Sequence, residues 1–179
     1  MSPAIPSFTR RCIVTVLLGI GLVTNALAED GISATEVRLG MANAQSGAAA
    51  ALGTGIKSGA QAYFDRVNAS GGINGRKITL VLKDDGYEPA RSVAATESLI
   101  NSDKVFALFG YVGTPTSTAS VPFASKAQVP YLFPLTGAEF LRNPVNKFAF
   151  NVRASYFDET ETMVERLTKD LGVKKIAML

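Results

Sequence analysis

Short apolar runs recur down this chain. Each is broken by a turn and followed by a helical pattern, and three of the turns are small, polar and hydroxyl-bearing. That alternation limits the fold more than any other feature. The runs are Glu36–Met41, Lys77–Lys83, Val105–Phe109 and Val129–Phe133. They are mostly apolar throughout rather than alternating apolar and polar, so both of their faces should be covered. This is the pattern of an α/β fold with a mostly parallel, doubly wound sheet. In such sheets ligands bind beyond the carboxyl ends of the strands, where loops feed the helices.

The clearest repeat is Phe106–Ser120, FALFGYVGTPTSTAS. A buried strand should end at Gly110, and a helix should begin near Thr114. Pro115 suits the first turn of that helix, where a missing N–H costs nothing. Free N–H groups and threonine hydroxyls at a helix start suit a small anion such as a carboxylate. The same residues are also ordinary helix caps, so this stretch alone leaves both readings open. Two further turns share its character, Ala42–Gly47 and Pro134–Gly137. Three small, polar turns at successive strand ends favour one shared small-ligand site.

The spacing predicts a helix opening at Gly53, with Ile56, Gly59, Ala60, Phe64 and Val67 on its apolar face. It should stop at Ser70-Gly71-Gly72, before the Asn74-Gly75 turn. A second helix should run from Glu88-Pro89 to Asn101, with Ala90, Val93, Ala94 and Ile100 inward. The helix from Thr114 to Lys126 contains Pro122, which should bend or divide it. Phe148–Val152 reads as a fifth extended piece. Ser155-x-x-Asp158 resembles a capping box. It opens an amphipathic helix with Met163, Val164, Leu167 and Leu171 on one face, ended by Gly172. Lys174–Leu179 reads as the start of a sixth strand. An apolar strand there needs a neighbour, which leads us to expect a fragment of a longer protein.

Residues 1–28 read as an export signal. Arg10 and Arg11 precede the apolar run Cys12–Val23, and Ala26-Leu27-Ala28 fits cleavage before Glu29. Of the 18 basic residues two lie in this leader, leaving 16 against 15 acidic ones. A nearly neutral mature chain gives no basis for nucleic-acid binding. The chain has no histidine, and its one cysteine, Cys12, lies in the leader. A Ser-His-Asp triad and the usual His-bearing or cysteine-cluster metal sites are therefore absent. No G-x-S-x-G elbow occurs either, so we expect neither an enzyme nor a resident metal.

No cofactor is expected. Gly53-Thr54-Gly55 with Gly59 has one residue too many for a dinucleotide fingerprint, and it lies well past the first strand. Close helix packing is the better account of Gly55 and Gly59. No phosphate-binding G-x-x-x-x-G-K-[ST] loop occurs. Asp84-Asp85 could hold a metal or do acid–base chemistry, but a carboxylate at a strand end more often caps the next turn. Tyr156 and Phe157 could line a cleft or pack as core.

Several stretches carry a family resemblance. They are VRLGMANAQSG, FDRVNASGGINGRKITLVLKDDGYEP, FALFGYVGTPTSTAS and PYLFPLTGA. From Val37 to Leu179 the chain resembles the leucine/isoleucine/valine-binding family of periplasmic solute receptors that serve ABC transporters. The resemblance implies the type I periplasmic binding fold, with two lobes joined by hinge crossings. Residues 29–150 would form the first lobe, and residues 151–179 a hinge crossing and the start of the second. It implies a branched-chain amino acid or a related amino or organic acid as ligand, a permease in the inner membrane as partner, and a periplasmic location.

Position by position, the resemblance implies ligand contacts from Thr114, with Val112 and Gly113 beside it. The turn Leu135, Thr136 and Gly137 would supply the second carboxylate contact. Ser46 lies in the first loop, and Tyr156 would face the cleft after the first crossing. Leu52 stands where leucine-binding members often place an aromatic residue. Tyr156 stands where amino-acid binders often carry an acid. Both departures widen the implied ligands to aromatic or other small organic acids. The alternative class is a ligand-sensing domain of an exported signalling receptor.

Overall fold

A computed structural model describes residues 29–177; the leader and its cleavage point lie outside them. Five parallel strands form one sheet in the order β2-β1-β3-β4-β5. They are β1 (Glu36–Asn43), β2 (Lys77–Asp84), β3 (Ala107–Phe109), β4 (Tyr131–Leu132) and β5 (Ala149–Phe150). The helices are α1 (Ala50–Ala69), α2 (Pro89–Asn101), α3 (Thr114–Lys126) and α4 (Tyr156–Glu165). Among the described residues no helix is long and apolar enough to cross a membrane.

The sheet is wound on both faces, as the apolar strands predict. Leu39, Ile78 and Ala107 pack with Phe64 of α1 on one face. Ala42, Leu108 and Tyr131 pack with Ala95 and Leu99 of α2 and Val121 and Ala124 of α3 on the other. Neighbouring strand residues thus point to opposite layers, and both layers are apolar. The first crossover places β2 on one side of β1, and the second places β3 on the other. The strand order reverses between β1 and β3, and the carboxyl ends at such a switch point are where ligands bind in open α/β sheets.

Several local expectations are corrected. The α2 face that packs inward is Ser92, Ala95, Thr96 and Leu99; Ala90 and Ala94 are exposed. Polar residues hide this face from an apolar-period reading, because their hydroxyls are satisfied inside. Ser92 Oγ bonds Ser120 Oγ at 2.9 Å, and Thr96 Oγ1 bonds Tyr111 Oη at 2.7 Å. The first helix begins at Ala50 rather than Gly53. Its Gly55 and Gly59 are exposed, with open space where a side chain would go. Gly53 is the packed glycine, since a Cβ there would lie 1.8 Å from the Ala44 carbonyl oxygen.

α3 continues unbroken through Pro122. That residue faces solvent, where water can satisfy the carbonyl that a proline N–H cannot reach. The Ser155–Asp158 capping box forms as expected. The helix it opens ends in a π-turn over Arg166–Asp170. No residue of α4 is buried, and Met163, Val164 and Leu171 remain exposed. Residues 174–177 form no strand; among the described residues none pairs with them.

Candidate functional site

Two turns meet at the start of α3. Beyond β3, Val112 forms a parallel bridge with Leu135 beyond β4. Leu135 N–H donates to the Tyr111 carbonyl at 2.7 Å, and Gly113 N–H donates to the Leu135 carbonyl at 3.3 Å. This lock extends the sheet past its last regular residues. It brings Thr114 and Thr136 together, with their hydroxyl oxygens 2.7 Å apart. Thr136 is fully buried, and its oxygen also accepts the Ala138 N–H at 3.2 Å.

Gly113 is the N-cap of α3 at φ 99° and ψ 154°, and Pro115 lies in the first turn. This positive φ is open to glycine at little cost. The Thr114 and Thr116 N–H groups find no acceptor among the described residues, and neither does that of Gly137. Unpaired N–H groups at a helix start carry partial positive charge. With two hydroxyls beside them, they form a cradle of hydrogen-bond donors, chemistry that suits a small anion such as a carboxylate.

Tyr156 closes this cradle from the chain that follows β5. Its backbone N–H donates to the Gly137 carbonyl at 2.8 Å. Its ring packs onto Gly137, where a Cβ would lie 2.7 Å from Tyr156 Cδ1. Thr136 Oγ1 lies 3.4 Å from Tyr156 Oη. The Arg153 guanidinium sits 5.1 Å from the centre of the same ring and pairs with Glu159 at 2.6 Å. The phenol titrates below its usual value, first through the Thr136 hydroxyl, with Thr114 and Arg153 contributing and burial opposing. The structure thus brings Val112, Gly113, Thr114, Leu135, Thr136, Gly137 and Tyr156 into one place.

Leu52 lines a neighbouring cavity, and Ser46 precedes that lining in the loop after β1. Ser46 Oγ donates to Asp84 Oδ2 at 2.5 Å, and the Gln45 N–H donates to Asp84 Oδ1 at 2.9 Å. Asp84 also accepts the Gly86 N–H at 2.9 Å, and Arg91 lies 3.5 Å away. These bonds, that of Ser46 first, hold its carboxyl well below the usual carboxylate range. Asp84 therefore staples the loop after β1 to the loop after β2, the structural role expected of it. Asp85 is fully buried, and its Oδ1 accepts the Tyr87 N–H at 2.8 Å. Burial pushes its carboxyl up.

Sequence reasoning missed Tyr87. It follows Asp84-Asp85-Gly86 at φ 69°, and its ring covers Gly113, where a Cβ would lie 2.2 Å from Tyr87 Cε2. Tyr87 also lines a cavity of about 580 Å³ with Gly47, Ala48, Ala49, Leu52, Gly86 and Glu88. The signal was the Asp-Asp-Gly turn before it. Asp85 bonds two residues on, which is how such turns fix the next backbone.

Residues 36–179 match the model of the periplasmic binding protein family. An amino acid binding protein of Pseudomonas aeruginosa is 38% identical over 103 residues, covering 58% of this chain and 25% of that protein. A possible leucine/isoleucine/valine-binding protein from Rhodopirellula baltica is 36% identical with a TM-score of 0.72, covering 82% of this chain and 38% of that one. The branched-chain amino acid transporter substrate binding protein LivJ from Streptococcus pneumoniae, solved in complex with isoleucine, is 29% identical with a TM-score of 0.69. That match covers 77% of this chain and 39% of LivJ. The chain thus spans between a quarter and two-fifths of the length of these proteins. With a parallel sheet wound on both faces and a family match over most of its length, the chain belongs to the periplasmic binding protein family.

Proposed function

We propose that this chain is the carboxylate-binding part of an extracytoplasmic solute receptor that delivers its ligand to an ABC-transporter permease. Residues 29–150 act as the first lobe, and residues 151–179 as the crossing and start of a second. The ligand is a branched-chain amino acid or a related amino or organic acid. It binds without being turned over, since the relatives are binding proteins. Export to the periplasm follows from the leader.

The observation that carries this reading is the Thr114–Thr136 hydroxyl pair at 2.7 Å, set beside unpaired N–H groups at the start of α3. A carboxylate placed there would accept charge-assisted bonds, which are about twice as strong as neutral ones. Tyr156 would close over it as the lobes approach by a hinge motion. Val112 and Leu135 provide the wall.

The test is calorimetry on the protein that carries this chain, with leucine and leucinamide. Binding of the acid and at least about tenfold weaker binding of the amide supports a carboxylate cradle, since a bond to a charged group is lost. Equal affinities would remove the assignment.

A further inference from the structure

We infer that Tyr87 is a specificity-determining residue and that the pocket beside it takes the non-carboxylate end of the ligand, favouring an aromatic side chain. The inference rests on the carboxylate cradle proposed above and names the ligand class it serves. Tyr87 touches both places. The edge of its ring, at Cε2, Cζ and Oη, lies against Gly113, immediately before Thr114. The same residue lines the cavity of about 580 Å³ between the first and second loops, a volume within the range of small-molecule sites. A molecule anchored at Thr114 would extend past Gly113 and meet this ring first.

The walls are chosen by residue type. Gly47, Ala48 and Ala49 line the cavity with almost no side chain, so a flat group meets little obstruction. Leu52, 51% exposed, adds an apolar surface to the lining. Glu88 is the one acid in the lining. A planar apolar group between Tyr87 and Leu52 would cover both.

Tyr87 is also held in place. Its N–H is bound by buried Asp85, and the strand end before it is stapled by Asp84 to Ser46 and Gln45. Its left-handed backbone is the kind of strained conformation that surrounding structure must fix. Gly113 is the matching residue, since any side chain there would displace the ring. A wall fixed at both ends discriminates between ligands better than a mobile one, because little ordering is needed on binding.

The test uses matched pairs of probes on the full protein. Phenylalanine and leucine share one set of charged groups, and phenylpropionate and isocaproate share another. Kd is measured for each with wild type, Tyr87→Gly, Tyr87→Phe and Thr114→Val. Glycine suits φ 69° and removes the ring without backbone strain; Tyr87→Phe keeps the ring should the glycine variant fold poorly.

We expect wild type to prefer the aromatic member of a pair by about three- to tenfold, the range of an aromatic contact. The preference should vanish in Tyr87→Gly and persist in Tyr87→Phe. A preference unchanged in Tyr87→Gly, a wild type that favours the aliphatic members, or binding of no probe would overturn the inference. The cradle is judged separately. If Thr114→Val weakens all probes alike while the pair ratio ignores Tyr87, the cradle stands and the pocket falls. If the ratio follows Tyr87 while Thr114→Val changes nothing, the pocket stands and the cradle falls.

Discussion

Thr114→Val separates ligand binding from folding. Valine keeps the branched shape of threonine and replaces the hydroxyl with a methyl. In the free protein this removes the 2.7 Å bond to Thr136. Thr114 is only half-buried, and the Thr136 oxygen keeps the Ala138 N–H. The loss is then that of one ordinary hydrogen bond, about 0.5–1.5 kcal/mol. Thermal unfolding should shift by a few degrees at most. In the complex the same change removes a bond to a charged carboxylate, worth about 1.5–3 kcal/mol. At 1.4 kcal/mol per decade that is roughly a tenfold to hundredfold rise in Kd. Calorimetry with leucine or phenylalanine measures it, and Thr114→Ser should restore most of the affinity. A Kd within about twofold of wild type, in a protein that melts normally, would refute the claim that this hydroxyl meets the ligand.

Four further outcomes follow from the same geometry. Thr136→Val should cost more stability than Thr114→Val, because it orphans the buried Ala138 N–H, a penalty of about 1–3 kcal/mol; equal melting points would contradict this. Gly137→Ala should drive the Tyr156 ring away, since a Cβ would lie 2.7 Å from it, so affinity should fall and the Tyr156 ring signals should shift in NMR spectra. The depressed Asp84 carboxyl gives stability that is present above its unfolded value near 4 and lost as the pH falls below it. Asp84→Asn should therefore flatten the acid limb of a melting-point profile. Asp85 has the opposite sign: its folded value is raised, so Asp85→Asn should gain on wild type in melting point as the pH rises above the unfolded value near 4, and a uniform loss would count against that burial effect.

The layered fold was legible in the sequence because strands buried on both faces must be apolar throughout. Val105–Phe109 showed this directly, and the helix expected from about Thr114 to Lys126 forms over that range, though without the break expected at Pro122. The inner face of α2 was not legible. Ser92 and Thr96 turn inward there, since Ser120 and Tyr111 await them, and no local pattern reports a distant hydroxyl. β4 is shorter than its apolar run, only Tyr131–Leu132, because strand length depends on the neighbour's reach. In the site, Thr114 and Thr136 stood out as hydroxyls at strand ends. Their contact depends on the Val112–Leu135 bridge, which only the folded sheet supplies. Tyr87 escaped because its role depends on the missing side chain of Gly113, 26 positions away in the chain.

The most direct measurement is a crystal structure of the whole protein with its ligand bound. The account predicts a carboxylate oxygen at hydrogen-bond distance, about 3 Å, from the Thr114 or Thr136 hydroxyl, with a second bond from the Thr116 or Gly137 N–H. A bound ligand whose carboxylate lies elsewhere, with the two threonines still bonded only to each other, would contradict it.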